Sequence, residues 1–250
     1  MKEEFSRLGE ILHLQCKSRP VYYLANRGNW GDALIRYGTV KFFKDIKLNY
    51  REIKHNKRSK VIPCILGGTV IYGGGGAWCS LWNGAAKAVS SLSKRFTVIV
   101  LPSTFETSYT FRNTSFHVRD QFQSQANMEG ANFCHDMAFY IGEDFYDGTK
   151  GNGNGYFFRE DKESAGKVPL KKENQDLSPL GRQTSPVNNF FTAISNFSVI
   201  FTDRLHVAIA ACLLKKEVHF YPGSYFKNYA VYLSSIKDHF PNVTFHENYE

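Results

Sequence analysis

The sequence lacks any hydrophobic run long enough to cross a bilayer, since no window approaches about 18 uninterrupted apolar residues. The opening MKEEFSRLGEILHLQCKSRP is acidic early and has no apolar core of the secretory type, so neither a signal peptide nor a spanning helix is expected. Cysteine is sparse and scattered. Cys16, Cys64, Cys79, Cys134 and Cys212 form no C-x-x-C pair, and an odd number cannot all pair within one chain. A reduced, cytoplasmic setting is expected. No G-x-S-x-G elbow exists, which counts against a Ser-His-Asp hydrolase. His13, His55, His219, His239 and His246 have no metal-ligand spacing, so no metal site is expected.

What is present is the balance of a globular protein. Of 250 residues, 42% are hydrophobic and 22% charged, enough apolar side chain for a sizeable core in one large domain or two compact ones. Aromatics are plentiful, with 21 Phe, 14 Tyr and 3 Trp, which supply buried area and can also line ligand clefts. The formal charge of +8 favours anionic partners. Lys54, Lys57, Arg58 and Lys60 cluster, as do Lys167, Lys171 and Lys172, without the interleaved aromatics of a nucleic-acid module. Both clusters read as solvated loops, and no nucleic-acid partner is expected.

From Val21 onward short β-rich runs alternate with helical stretches: VYYLA, DALIRYGTVKFF, VIPCIL, TVIY, SLWNGAAKAVSSLSKRF and TVIVLP. That alternation predicts βαβ units around a mostly parallel sheet. Leu34, Gly38 and Phe42 share one face of the first helix, with Asp32 as its N-cap. Further strands are expected at 116–119 and 132–140. Turn residues dominate Ile141 to Gly155, which predicts a boundary between an N-terminal Rossmann-like lobe (1–145) and a C-terminal donor-binding lobe (155–250). Beyond it come strand YFFR, a polar mobile loop from Glu160 to Pro186, helix NNFFTAISN, strand SVIFT, helix DRLHVAIAACLLKK, strand VHFYP and helix SYFKNYAVYLSSIK. The fold class expected is α/β, with two facing lobes, a cleft between them and a short second lobe.

Three segments carry candidate chemistry. In TDRLH, Thr202 to His206, polar residues follow an apolar strand and open a helix whose apolar face is Leu205, Ile209 and Leu213. Open α/β sheets bind ligands at such places, and the free N–H groups of a helix start, with Arg204 beside them, suit an anion. Asp203 could be a plain N-cap there and His206 a satisfied core histidine. NRGNWGDALI, Asn26 to Ile35, repeats the strand-turn-helix placement; Gly28 and Gly31 permit a tight path, and Asp32 is either a cap or a carboxylate acting on a hydroxyl. In IYGGGGAW, Trp78 stands where a dinucleotide fingerprint needs its third glycine and no GK[ST] follows. The bare backbone of Gly74 and Gly75 suits close approach of a ligand or a sharp structural turn. Arg119, Asp136, Arg159, Tyr225 and Lys227 lie at predicted strand ends or helix starts.

The order N-x-G-D, glycine run, V-R-D, H-D, F-R-E-D, then T-D-R-L-H followed by G-S-Y-F-K-N resembles the polysaccharide pyruvyl transferase family, from about Val21 to Lys237. T-D-R-L-H with the downstream Y-x-K-N is the most specific part. The resemblance implies a glycosyltransferase-B-like fold and transfer of an enolpyruvyl-derived unit from phosphoenolpyruvate to a sugar, giving a pyruvate ketal. It implies that Arg204, Leu205 and His206 line the donor site, with Arg119 and Asp136 matching other family positions. Family members often carry Ser soon after V-R-D; here Gln121 follows and Ser124 is the nearest candidate.

That chemistry asks for a proton donor, expected in His206, and a base, expected in Asp32 or Asp136. Arg204, Lys227 and bare amides would stabilise the departing phosphate, with Arg159, Asn29, Gly74 and Gly75 completing the substrate-binding set. No cofactor beyond the donor substrate is implied. The acceptor would be a sugar or glycan, with a lipid-linked acceptor and peripheral contact at the inner membrane face as further expectations. Alternatives are a nucleotide-sugar-dependent glycosyltransferase on the same scaffold, or a non-catalytic anion- or glycan-binding protein.

Overall fold

A computed structural model describes residues 1–17, 19–55, 67–166 and 172–249. The expected strand at 61–66, Cys64, and the basic residues Lys57, Arg58, Lys60, Lys167 and Lys171 lie outside the described residues. The chain forms two compact units, one of Met1–Arg27 with Thr39–Met137, the other of Gly28–Gly38 with Ala138–Glu250.

The first unit contains α1 (Lys2–Cys16), β1 (Val21–Leu24), the second part of α2 (Trp30–Asp45) from Thr39 on, β2 (Arg51–Glu52), β3 (Thr69–Tyr72), β4 (Gly75–Trp78), α3 (Gly84–Leu92), β5 (Thr97–Phe105), β6 (Thr114–Val118), α4 (Gln123–Asn127) and β7 (Asn132–Phe133). Its strands pair in parallel in the order β2-β1-β3-β5-β6-β7, with β4 added to β5. The central strands are buried on both sides, as all-parallel sheets require, which is why they read as unbroken apolar runs. Trp78 anchors the aromatic core, with its ring 5.1 Å from Phe105, 5.1 Å from Tyr109 and 5.7 Å from Phe116. The sequence reading assigned no element to α1, yet Phe5, Leu8, Leu12 and Cys16 form a buried stripe at helical spacing.

The second unit contains β8 (Asn154–Tyr156), α5 (Asn188–Ser195), β9 (Val199–Thr202), α6 (Leu205–Leu213), β10 (Glu217–Phe220), α7 (Lys227–Val231) running into a π turn (Tyr232–Ile236), and β11 (Val243–Phe245). Its sheet is parallel in the order β11-β10-β9-β8. Helix α6 is buried at every position except His206, so it is a core helix and not the amphipathic one expected from Leu205, Ile209 and Leu213 alone.

The division departs from a single cut within residues 141–155. Gly28–Gly38 joins the second unit because Asn29 pairs with Arg182 in a β-bridge and the Trp30 indole donates to the Pro186 carbonyl (2.9 Å) and packs edge-on against Phe190. The turn-rich stretch after Ile141 is held within that unit too: Phe145 stacks on Phe191 at 4.3 Å, and the Lys216 ammonium donates to the Thr149, Lys150 and Ser195 carbonyls. Only residues 132–133 of the strand expected at 132–140 join the sheet, after which the chain turns through a 3-10 segment, Met137–Ile141. The helix foreseen across SLWNGAAKAVSSLSKRF is confined to Gly84–Leu92.

Candidate active site

In the second unit, β9 ends at Thr202 and α6 starts at Leu205, leaving Asp203 and Arg204 in the turn. The Thr202 hydroxyl donates to the Phe157 carbonyl (2.7 Å) and accepts from the Arg204 N–H (2.9 Å), locking that turn to the chain beyond β8. The Asn228 amide, fully buried, donates to the carbonyls of Asp203 (2.6 Å) and Tyr221 (3.0 Å), tying the ends of β9 and β10 to the start of α7. Buried Asp203 does not cap α6, whose N-cap position is Arg204 and has no side-chain cap hydrogen bond; its Oδ1 instead accepts the Arg159 backbone N–H at 2.8 Å. Burial pushes its carboxyl up to about 6, against the opposing pull of that N–H and of the Arg159 and Arg204 charges.

The residue capping α2 is Asn29, not Asp32 as the pattern predicted. The Asn29 Oδ1 accepts the Gly31 N–H (2.8 Å), while Asp32, at the third helical position, reaches back to accept the Asn29 N–H (2.9 Å). This reciprocal pair is a capping box. Gly28 leaves room for the returning carboxylate, since a Cβ there would overlap Asp32 Oδ2 at 1.8 Å. A Cβ on Gly31 would lie 2.5 Å from His206 Nδ1, so the imidazole sits directly over this turn. Asn29, Gly31, Asp32 and His206 are thereby gathered in one unit.

Beside them stands a cluster of cations already paired with acids. Arg204 meets Asp176 through two nitrogens, Nε at 3.0 Å from Oδ1 and Nη2 on Oδ2, and places Nη1 2.9 Å from Asp161 Oδ2. Arg159 reaches Glu163 (2.5 Å) and Asp161 (3.0 Å), and the Lys227 ammonium lies 2.6 Å from the same Glu163 oxygen. Arg159, Glu163, Arg204 and Lys227 are buried. Burial opposes the charge on Arg159, yet the neighbouring Glu163 and Asp161 raise its pKa; burial likewise opposes the charge on Asp161, and Arg159 and Arg204 lower its pKa.

The other candidates fall in the first unit. Arg119 and Asp136 are 1% and 0% exposed and form an ion pair of 2.6 Å, with Arg119 Nε also donating to the Thr104 hydroxyl at 2.8 Å. Gly74 is where two strand ends touch: a Cβ there would come within 2.2 Å of the Pro102 carbonyl oxygen, and Gly75 holds φ +131. The close approach is thus by the chain's own backbone. Ser124 is buried, accepting the Phe105 N–H at 2.9 Å. Leu205, in the second unit, is buried at the start of α6. Among the described residues no group of three or more His, Cys, Asp or Glu could hold a metal ion.

Sequence reasoning missed Asp161, Glu163, Asp176 and Asn228. The charge alternation of R-E-D, and the Asn directly after Lys227, were the signals available.

Taken together, basic residues and a histidine stand after the carboxyl end of a parallel strand in an α/β fold, the place where open sheets of this kind bind ligands. The family model for polysaccharide pyruvyl transferase matches residues 29–225, and the chain belongs to that family. It is therefore a transferase, and the family implies a polysaccharide or glycan acceptor. Among solved structures, the crystal structure of the functionally uncharacterised protein KP1_0663 from Klebsiella pneumoniae subsp. pneumoniae is similar, with a TM-score of 0.76 and 27% identity over 99% of this chain and 100% of that one. No curated protein matches.

Proposed function

We propose that the protein transfers an enolpyruvyl-derived unit from phosphoenolpyruvate to a sugar of a polysaccharide or glycolipid precursor, forming a pyruvate ketal. A proton is delivered to the methylene carbon, the resulting cationic C2 is attacked by one sugar hydroxyl, and a second hydroxyl of the same sugar displaces phosphate. The methyl hydrogen comes from the acid, which the first hydroxyl reprotonates through the base; the second hydroxyl's proton leaves with phosphate. His206 is the acid. Asp32 is the base favoured over Asp136, because it stands in the same capping turn as the glycine beneath His206, whereas Asp136 is buried against Arg119. Arg204, Arg159 and Lys227 hold the donor's phosphate and carboxylate. In this reading the two α/β units act as the lobes of a glycosyltransferase-B-like enzyme.

The observation that carries this reading is the seating of His206 over Gly31, two residues after Arg204. The test is acceptor-dependent release of inorganic phosphate from phosphoenolpyruvate with a panel of glycans. Nucleotide release from a sugar nucleotide in its place would make the protein a glycosyltransferase.

A lipid-linked acceptor and peripheral membrane contact belong to the same proposal. No helix among the described residues is long and apolar enough to cross a membrane. The first unit carries a surface cleft of about 560 Å³ whose lining includes Lys17, Arg19, Lys47 and Arg51 and, among the described residues, no carboxylate. Such a surface suits anionic headgroups.

A further inference from the structure

Arg204 immediately precedes α6 and Lys227 opens α7, while Arg159, on the stretch after β8, is tied through its backbone N–H to Asp203 at the end of β9. The acidic partners have no such place at a helix start. Asp161, Glu163 and Asp176 lie on the stretch between β8 and α5, whose described residues contain no strand and only one short 3-10 turn, Ser178–Leu180. The stretch is held by hydrogen bonds within itself and to its surroundings, among them the Gln175 N–H to the Tyr156 carbonyl (2.9 Å) and the Glu160 N–H to Asp176 Oδ2 (3.0 Å). Asp161 Oδ1 accepts the Glu163 N–H at 3.0 Å, and the Asn174 side chain accepts the Phe158 N–H at 2.8 Å and donates to the Phe158 carbonyl at 3.1 Å. Two cations at helix starts, Arg204 and Lys227, thus face carboxylates on an irregular stretch that also carries Arg159. A buried ion network of this kind contributes little net stability once desolvation is counted, so its cations are poorly explained as braces for the fold.

We propose that Asp161, Glu163 and Asp176 are specificity-determining residues: internal counter-anions that occupy the donor cradle and that the donor must displace. The proposal rests on the reading of Arg159, Arg204 and Lys227 as donor ligands. A simple carboxylate arriving at the cradle exchanges one carboxylate for another and loses its freedom in solution, with nothing gained. Phosphoenolpyruvate brings a phosphate dianion together with a carboxylate. Its phosphate can accept paired, charge-assisted hydrogen bonds from Arg204 or Arg159, and it matches the three cations in charge. The internal acids therefore reject pyruvate and similar monoanions while admitting the phosphorylated donor, at the cost of a weakened apparent donor affinity.

Isothermal calorimetry with phosphoenolpyruvate and with pyruvate, on the full chain and on Asp161→Asn, Glu163→Gln and Arg204→Ala, tests this. Asp161 is the safer substitution because its side chain is 35% exposed. Both acid variants should bind phosphoenolpyruvate roughly tenfold more tightly, as expected when a competing conformation is removed, and should bind pyruvate where the unaltered protein does not. Folded acid variants whose affinity is unchanged or lower overturn the proposal. If the unaltered protein nevertheless binds phosphoenolpyruvate and Arg204→Ala does not, the donor-site reading stands without it. Absence of phosphoenolpyruvate binding in every form overturns both.

Discussion

His206 occupies space that any side chain at Gly31 would claim: a methyl group on the Gly31 Cα would lie 2.5 Å from Nδ1. Gly31→Ala should therefore push the imidazole off its seat; the added carbon also lies 3.1 Å from the capping Asn29 Oδ1, a crowding offset by alanine's better helix propensity of about 1 kcal/mol. Displacing a catalytic group by about an ångström costs on the order of 100-fold in rate. The expected result is a folded protein with the maximal rate of phosphate release reduced by that order. An unaltered rate would mean that the ring's position over Gly31 is irrelevant to turnover.

Asn228 should matter for stability. Its amide bonds two strand-end carbonyls in a site with no solvent exposure. Asn228→Ala leaves both acceptors buried and should cost about 2 to 4 kcal/mol, from the price of unsatisfied buried polar groups. Urea unfolding followed by circular dichroism measures it, and a loss below about 0.5 kcal/mol, the scale of an ordinary surface change, would contradict the clamp.

Asp203 sets a pH dependence of stability. Its carboxyl is raised by burial from 3.8 to about 6, so between those values the folded state holds a proton that the unfolded state has released. Stability contributed by this group is then present at the acid end and is lost as pH rises from about 4 to about 6, at a slope of up to about 1.4 kcal/mol per pH unit. Asp203→Asn should flatten the curve in that window. A parallel curve for the variant would show that Asp203 is ionised throughout.

Much of this was legible in the sequence, and the reasons for the rest are physical. The strands VYYL and TVIY announce themselves because parallel strands buried on both faces are continuously apolar. The TDRLH and NWGD turns were found because capping and anion binding both need particular residues at helix starts. The cap of α2 falls on Asn29 and not on the expected Asp32 because either side chain can cap, and only the backbone path decides. The grouping of residues 28–38 with the second unit depends on Trp30 packing on Phe190, a contact between residues far apart in sequence. The carboxylates that meet Arg204 and Lys227 were hidden for the same reason, lying tens of residues away on a stretch without periodicity, whereas Asp161 and Glu163 stand two and four residues from Arg159.

Electrostatic attachment to membranes is expected through the cleft lined by Lys17, Arg19, Lys47 and Arg51. Sedimentation with vesicles containing anionic phospholipid should carry the protein down at low ionic strength and release it at high, as screening shortens to about 3 Å at 1 M salt. Changing the four cations to Gln should abolish the low-salt binding. Equal sedimentation at both ionic strengths, or of the four-fold variant, would rule out charge as the cause.

The most direct test of the central claim is the turnover of His206→Gln, which keeps a polar side chain of similar size and removes the titratable proton donor. With phosphoenolpyruvate and an accepted glycan, the maximal rate of phosphate release should fall roughly 100- to 10,000-fold while donor affinity, read by calorimetry, changes little. That pattern marks an interaction made chiefly in the transition state. A folded His206→Gln protein that keeps most of its rate would contradict the account, leaving His206 as a group that merely packs over Gly31.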